Sequence, residues 1–243
     1  MIKGLYQAAA GMIPQSFQEE VVANNLANVS TTGYKKDAVH FRRLLNSQIL
    51  LSAQMGIPDR GGPPEEVLIN FAQGELKPTD NPLDLALDGP GFFVVETPDG
   101  ERLTRDGSFL LNADGELVTP DGFKVLGESG PIQLLPGQVE IRANGEIFQN
   151  GAVVDRLKIV DLPRPYPLKK AGRGLFALTR QIRDYLEPEN TQVKQGFLEE
   201  SNVNPITEMI RLITISKNFQ AGQRAIHAQD RTLDKTVNTV SRY

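Results

Sequence analysis

The most constraining feature of this sequence is a series of Asp-Gly and Asn-Gly pairs in its central part. Between positions 99 and 122, Asp-Gly pairs recur every seven or eight residues, separated by short apolar runs such as Ser108–Leu111. Asn144-Gly145 and Asn150-Gly151 continue the pattern. Because such pairs between apolar runs are a strong hairpin signal, this region is predicted to be a meander of short antiparallel strands.

The two ends of the chain show helical periodicity instead. A helix is predicted over about residues 1–30, with a possible kink at Pro14 and an end at Gly33; its apolar positions, three and four apart, are Ile2, Leu5, Ala9, Met12 and Ile13. A second helix is predicted from Asn204 to the C-terminal residue. Asn204 suits its N-cap, Pro205 its first position and Glu208 its first turn.

The predicted fold class is α+β, with a central, mostly antiparallel β-domain. Neither terminal helix can bury its thin apolar stripe alone, so the two are predicted to pair as a coiled-coil-like stalk. Four segments follow from this reading: residues 1–33 form the N-terminal helix, 34–75 a connecting arm with the Gly/Pro-rich loop Gly56–Glu66, 76–190 the β-domain, and 191–243 the C-terminal connector and helix.

Composition excludes several classes of function. The 243 residues include no cysteine, which excludes disulfides, thiolate zinc sites and cysteine nucleophiles. The net charge of -4 argues against a dedicated nucleic-acid binder, and the Lys35-Lys36 pair is predicted to be solvated surface. We expect a soluble protein without membrane insertion, since no run has the length of a membrane span and the N-terminal segment lacks the apolar core of a secretory signal.

A search for catalytic chemistry finds little. His40 and His227 lack partners at metal-ligand spacing, and no nucleotide-binding loop or nucleophile elbow is present. Asp84 and Asp88, four apart, could form a general acid/base pair, but a capped turn at Asn81 leading into a strand explains them better. Asn112–Glu116 resembles part of a calcium loop, although a hairpin turn suffices. No enzyme activity, cofactor, metal or small-molecule substrate is predicted.

Three segments together resemble the axial proteins of the bacterial flagellum, namely the rod and hook proteins of the basal body. They lie at residues 23–37 (ANNLANVSTTGYKKD), at residues 81–127 beginning NPLDLALDGPGFFVVE, and at residues 196–226 beginning GFLEESNVNP. The matches fall at both ends and in the middle, in the expected order. Length and the single β-domain are closer to rod proteins than to the longer hook protein, and proximal and distal rod members remain equally open.

The resemblance implies a self-assembling structural subunit that transmits torque from motor to hook. Its partners would be copies of itself, other rod or hook axial proteins and the flagellar export apparatus. It would lie in the rod crossing the periplasm, exported by the type III route without a cleaved signal peptide. Two other functions stay open at this point: a soluble module that binds peptide or carbohydrate on its sheet, and an enzyme that uses Asp84 and Asp88.

The asparagines near the end of the first helix are the most unusual residues of these segments. Amides at a seam between helices fix register at some cost in stability, whereas the plainer interpretation is that they cap a fraying helix end. With the residues of the resembling segments they define the predicted assembly interface, which comprises Asn24, Asn25, Leu26, Asn28, Gly33, Tyr34, Asn202, Asn204, Met209 and Ile213.

Overall fold

A computed structural model describes residues 2–41, 65–179, 185, 186, 188 and 190–240. The predicted Gly/Pro-rich loop lies almost entirely outside these residues. The chain divides into two compact units. The helical unit comprises Met1–Ala27, Lys36–Asn70 and Val203–Tyr243, and the β-unit comprises Asn28–Lys35 and Phe71–Asn202.

The helical unit contains both predicted terminal helices and a two-stranded antiparallel sheet. The elements are α1 (Ile2–Ala27), α2 (Pro205–Val240), β1 (Asp37–Phe41) and β2 (Glu65–Ile69). Helix α1 runs through Pro14 and ends a little before the predicted position. Its last turns contact β1, and Val21 and Val22 are buried. The sequence pattern therefore located both helices but missed this small sheet.

The β-unit consists of short strands, as the turn spacing predicts. In chain order the strands are β3 (Leu76–Pro78), β4 (Leu85–Asp88), β5 (Phe92–Thr97), β6 (Gly100–Thr104), β7 (Leu110–Leu111), β8 (Leu117–Val118), β9 (Lys124–Val125), β10 (Val139–Ile141), β11 (Glu146–Gln149), β12 (Ala152–Arg156), β13 (Ile159–Val160), β14 (Leu168–Gly172), β15 (Leu175–Leu178), β16 (Gln192–Gln195) and β17 (Phe197–Glu199).

The strand pairs among the described residues of the β-unit are all antiparallel. The largest sheet has the order β14-β15-β6-β5-β9-β8-β7, with β13 paired to β5. A second sheet has the order β10-β11-β12. Strands β16 and β17 pair with β4 and β3, so residues 192–199 fold with the β-unit. The prediction of an α+β protein with a mostly antiparallel β-domain is confirmed.

The predicted topology, a simple meander, is wrong at one of the Asp-Gly turns. Hairpins do form at Asp99-Gly100, Asp114-Gly115 and Asp121-Gly122, as predicted. At Asp106-Gly107, however, the chain leaves β6, which pairs with β15, and enters β7, which pairs with β8. A Cβ on Gly107 would lie 1.6 Å from the carbonyl oxygen of Leu85. This glycine therefore allows two backbone segments to approach closely, which turn statistics do not reveal.

The core of the β-unit lies between its sheets and is formed by alternating inward-facing residues. Its most deeply buried side chains include a T-shaped pair of aromatic rings, Phe93 and Phe109, with centroids 5.2 Å apart. The buried cluster also includes Leu85, Leu87, Val95, Leu117, Val125, Ile132, Leu134, Ile141, Ile147, Leu157, Leu175 and Val193. The contribution of Val193 from β16 ties the segment that precedes α2 into this core.

Candidate assembly interface

A buried group of three charges lies at the end of strand β17 in the β-unit. Lys35 Nζ is 2.5 Å from Glu199 Oε1, and Arg105 Nη1 is 3.2 Å from Glu199 Oε2. The Gly74 amide donates a further hydrogen bond to Glu199 Oε1 at 2.8 Å. The side chains of Lys35 and Glu199 are 1% and 0% exposed. We call Lys35, Arg105 and Glu199 the charge cluster.

The charge cluster combines two cations with one carboxylate, so it has an excess positive charge. Burial lowers the pKa of Lys35, the Glu199 carboxylate opposes this by its charge and hydrogen bond, and the Arg105 charge lowers the pKa further. Two backbone carbonyls partly offset the desolvation: Lys35 Nζ donates to Ala72 O at 2.9 Å and Arg105 Nη2 to Gly89 O at 2.7 Å. The lysine therefore depends on Glu199 for its charged state.

Residues just before Lys35 extend this contact through the backbone. The Gly33 amide donates to the Glu199 carbonyl at 2.8 Å, and the Asn202 amide donates to the Tyr34 carbonyl at 3.4 Å. Gly33 has a φ of 64°, and a Cβ there would lie 2.4 Å from the Asp106 amide nitrogen. The predicted role of Gly33 as a point of left-handed turn is thus accompanied by a close packing contact within the β-unit.

Tyr34 and Asn202, both predicted interface residues, also have partners inside the β-unit. Tyr34 is buried, and Lys170 Nζ lies 3.9 Å from the centroid of its ring. Asn202 Nδ2 donates to the Ala72 carbonyl at 2.8 Å. Gly33, Tyr34 and Asn202 are therefore brought together by the fold, around the strand that ends at Glu199.

Among the asparagines of the N-terminal segment, Asn25 is the buried one. Its Nδ2 donates to the Asp37 carbonyl, and its Oδ1 accepts from the Asp37 amide, both at 2.8 Å. The amide side chain therefore pairs with strand β1 as a backbone peptide would. The interpretation that these amides satisfy the last carbonyls of α1 does not describe Asn25, whose donor is directed to Asp37.

The other predicted residues near the end of α1 are more accessible. Asn24 is exposed, and Leu26 and Asn28 are half-buried. Asn28 follows the last helical residue and belongs to the β-unit. Its carbonyl and its Oδ1 accept hydrogen bonds from the amide and the hydroxyl of Thr31, at 3.2 and 3.3 Å. Asn28 thus organises the turn that leads towards Gly33.

Helix α2 begins as the sequence predicts. Asn204 Oδ1 accepts a hydrogen bond from the Thr207 amide at 3.0 Å, the geometry of an N-cap. Glu208 in the first turn is buried and accepts from Lys36 Nζ at 2.5 Å and Arg211 Nη1 at 3.3 Å. A negative charge at this end of the helix is also favoured by the helix dipole.

An exposed aliphatic stripe runs along the first two turns of α2. Its members are between 50% and 69% exposed, and they are Ile206, Met209, Ile210 and Ile213. The spacing of three and four residues places them on one side of the helix. Two predicted interface residues, Met209 and Ile213, lie in this aliphatic stripe.

Several important residues carry no clear signal in the sequence. Lys35 was predicted to be solvated surface, which is wrong, and Arg105, Glu199 and the ion pairs of Glu208 were not predicted at all. Glu199 is an inward-facing carboxylate followed directly by the exposed Glu200. Alternation in a strand could have indicated that one of the two points inward, but it could not have identified a lysine 164 residues away as the partner.

The residues considered for catalysis have structural roles in the described chain. Asn81 Nδ2 donates to Asp84 Oδ1 at 3.0 Å, and Asn81 Oδ1 accepts from the Leu83 amide at 3.2 Å. Asp88 instead pairs with Lys194, whose hydrogen bond lowers the pKa of that carboxyl. Asn112 Oδ1 accepts from the backbone of its own hairpin turn. Within the described residues, no group of three His, Cys, Asp or Glu side chains is arranged for a metal ion.

Over the part of the chain that the structure describes, neither α1 nor α2 has a stretch long and apolar enough to cross a membrane.

Comparison with known protein families gives three matches in chain order. The family described as flagella basal body rod protein matches residues 5–35. The D1 domain of the flagellar hook protein FlgE/F/G matches residues 86–153. The C-terminal region of the flagellar basal body rod FlgEFG protein matches residues 194–239. The first and last of these matches contain Lys35 and Glu199.

Individual relatives align with nearly the whole chain. The flagellar basal-body rod protein FlgF of Rhizobium meliloti is 32% identical over 243 residues, which cover 99% of this chain and 98% of the relative. FlgF of Mesorhizobium japonicum is 29% identical with the same coverage. The flagellar basal-body rod protein FlgG of Agrobacterium fabrum is 32% identical over 257 residues, which cover 94% of this chain and 96% of the relative.

Terminal helices, a central antiparallel β-unit and these matches together define a structural protein of a bacterial motility apparatus. The chain belongs to the flagellar basal-body rod protein family. Members of this family are structural and are not enzymes, and the family locates the protein in the flagellar basal body. The same matches relate it to the other rod and hook proteins.

Proposed function

We propose that this protein is a rod subunit that assembles with copies of itself and with other rod or hook proteins through its terminal helices. The observation that carries the proposal is the aliphatic stripe of Ile206, Met209, Ile210 and Ile213. Burying the exposed half of each side chain contributes about 1 kcal/mol per residue. A contact of this kind between different surfaces of successive copies extends into a filament rather than closing into a dimer.

Helix α2 also has a second apolar face, which supports pairing of the two terminal helices as a coiled-coil-like stalk. Its half-buried positions recur with alternating spacings of three and four, at Leu212, Ile215, Phe219, Gly222 and Ile226. A Cβ on Gly222 would lie 3.3 Å from Met12 Cγ of α1. The stalk would use this face, and the aliphatic stripe would remain for neighbouring subunits.

Further parts of the proposal follow from what a rod does. Subunits of the rod would cross the periplasm, reach it through the flagellar type III export apparatus without a cleaved signal peptide, and transmit torque from motor to hook. Asn24 and Leu26 near the end of α1, with Asn28 just beyond it, would add polar and apolar contacts that fix the register between copies. Asn24→Leu and Asn28→Leu are expected to leave the β-unit folded while assembly is misregistered or lost.

The decisive experiment asks whether assembly depends on the aliphatic stripe in particular or on exposed apolar surface in general. The purified full chain with Met209→Gln and Ile213→Gln is compared with Val153→Gln, because Val153 of β12 is 57% exposed in the β-unit. Glutamine preserves the helix propensity of α2, and Val153 is an exposed strand residue, so both proteins should fold. Sedimentation and electron microscopy should show polymers for Val153→Gln and none for the double variant.

The outcome in cells extends this test to function. The double variant should fail to restore motility to a strain that lacks the gene, whereas Val153→Gln should restore it. Electron microscopy of intact basal bodies that contain a labelled subunit should place the label in the rod. Normal polymers and motility with the double variant would refute assembly through the aliphatic stripe.

A further inference from the structure

A short piece of the N-terminal region folds with the β-unit, although the chain on both sides of it belongs to the helical unit. The segment Asn28–Lys35 lies in the β-unit, whereas Met1–Ala27 and Lys36–Asn70 do not. This segment contains three residues of the predicted assembly interface, Asn28, Gly33 and Tyr34. Their contacts inside the β-unit give Gly33 and Tyr34 a different role.

Four consecutive residues of this segment are each held by a hydrogen bond or an ion pair within the β-unit. Thr32 Oγ1 donates to Asp106 Oδ1 at 2.7 Å. Gly33 is bound through its amide to the Glu199 carbonyl at 2.8 Å, and Tyr34 accepts through its carbonyl from the Asn202 amide. Lys35 completes the series with its ion pair to Glu199. Three of these contacts reach residues 199–202, which lead directly to α2.

We propose that Asn28–Lys35 is an intramolecular strap that locks residues 199–202 onto the β-unit, so that this unit completes its fold only when the strap is seated. Within it, Gly33, Tyr34 and Lys35 thus serve a conformational device of the single chain rather than a surface that contacts neighbouring copies. This inference goes beyond the proposed function, because it holds for an unassembled subunit whether or not the aliphatic stripe drives polymerisation.

The chemistry of the strap site makes its occupant specific. Gly33 packs against the backbone of Arg105 and Asp106, where any Cβ would come within 2.7 Å of three main-chain atoms. Two residues after Gly33, Lys35 pairs with Glu199. Glu199 is buried and needs cations to offset its desolvation. A sequence that seats here must therefore provide a glycine followed two residues later by a lysine, as Gly33 and Lys35 do.

Hydrogen exchange of the unassembled full chain tests the strap directly. Gly33→Ala is compared with Gly122→Ala, since Gly122 has a φ of 85° and nothing within 4 Å of an added Cβ. Both variants strain a left-handed residue, but only the first obstructs packing of the strap. Gly33→Ala should accelerate amide exchange at residues 199–202 at least tenfold, and Gly122→Ala should leave those amides unchanged.

A milder pair of variants keeps the test valid if Gly33→Ala disrupts the whole unit. Thr32→Val removes the strap hydrogen bond to the Asp106 carboxylate, and Thr179→Val removes a threonine hydrogen bond to the Pro167 carbonyl at 2.9 Å elsewhere in the β-unit. Thr32→Val should raise exchange at residues 199–202 severalfold, and Thr179→Val should not. Unchanged exchange at residues 199–202 in Thr32→Val, or equal acceleration by both threonine variants, would overturn the strap.

Discussion

Lys35 Nζ lies 2.5 Å from Glu199 Oε1, although the two residues are 164 positions apart and their side chains are almost completely removed from solvent. The two residues fall in the N-terminal and C-terminal family matches, respectively. The ion pair therefore joins one residue from each of these two matched regions inside the β-unit. Such a pair is expensive to break, because a single remaining charge stays buried without its partner.

Glu199→Gln should be the most damaging single change in the charge cluster. It removes the one carboxylate that balances Lys35 and Arg105, so either a cation stays buried without its partner or Lys35 must give up its proton. The free energy of unfolding should fall by about 3–5 kcal/mol. Urea unfolding followed by circular dichroism measures this loss. Glu200→Gln is the matched control, since the neighbouring Glu200 pairs with Lys77 on the surface and its loss should change stability by less than about 0.5 kcal/mol. Equal losses for the two variants would contradict the assigned role of Glu199.

Lys35 should give the chain a measurable dependence of stability on alkaline pH. Because its pKa in the folded chain lies below the ordinary value of 10.5, there is a pH window in which the folded chain has released a proton that the unfolded chain still binds. In that window the free energy of unfolding rises with pH. Unfolding of the native chain and of Lys35→Met is therefore compared from neutral pH up to 10.5.

The expected result is that the native chain gains stability relative to Lys35→Met as the pH rises through the lowered pKa towards 10.5. Lys77→Met serves as the control for loss of a lysine from an exposed ion pair. The contrary result is a free energy of unfolding of the native chain that stays constant or falls, relative to that of Lys35→Met, as the pH rises. It would show that burial does not set the direction of the Lys35 pKa shift.

Local chemistry made some elements predictable. Asn204 caps α2 as expected because a cap involves only residues within one helical turn. The hairpins at Asp114-Gly115 and Asp121-Gly122 form for a similar reason, since each turn is specified by its own residues. The order of strands is not local: β6 pairs with β15, about 70 residues further along the chain, which no turn signal encodes.

The candidate site was predictable only in part, and for the same physical reason. The unusual composition around Asn25, Gly33 and Tyr34 marked that stretch as important, but it did not distinguish contacts within the chain from contacts between chains. Lys35 is adjacent to Lys36 and has the composition of an ordinary solvated pair. Its burial is imposed by Glu199, whose position is known only once β17 has paired with β3.

Asn25→Asp should destabilise the helical unit, because a carboxylate cannot replace the donor that Asn25 directs at the Asp37 carbonyl. One bond, accepted from the Asp37 amide, could persist, but the two facing oxygens repel each other. The expected loss is about 3 kcal/mol, the upper range for an unsatisfied buried polar group.

The loss of stability in Asn25→Asp is measured by thermal unfolding and by hydrogen exchange of the Asp37 amide. Asn24→Asp makes the same change at the exposed neighbouring position and should cost much less stability. Similar losses for both variants would contradict the pairing.

Asn204→Ala should weaken the start of α2 without touching the charge cluster. The Thr207 amide, which lies 3.0 Å from Asn204 Oδ1, loses its acceptor, and removal of such a cap costs about 1 kcal/mol. Serine supplies a hydroxyl oxygen that caps nearly as well, so Asn204→Ser is the control and should keep most of the stability.

Hydrogen exchange should be faster at residues 206–208 in the alanine variant, while Gly33 and Glu199 remain protected. Because the aliphatic stripe begins at Ile206, fraying should also slow polymerisation, and the serine variant should polymerise at the native rate. Equal exchange in the two variants would show that the buried pairing of Glu208 with Lys36, not the asparagine, fixes this helix end.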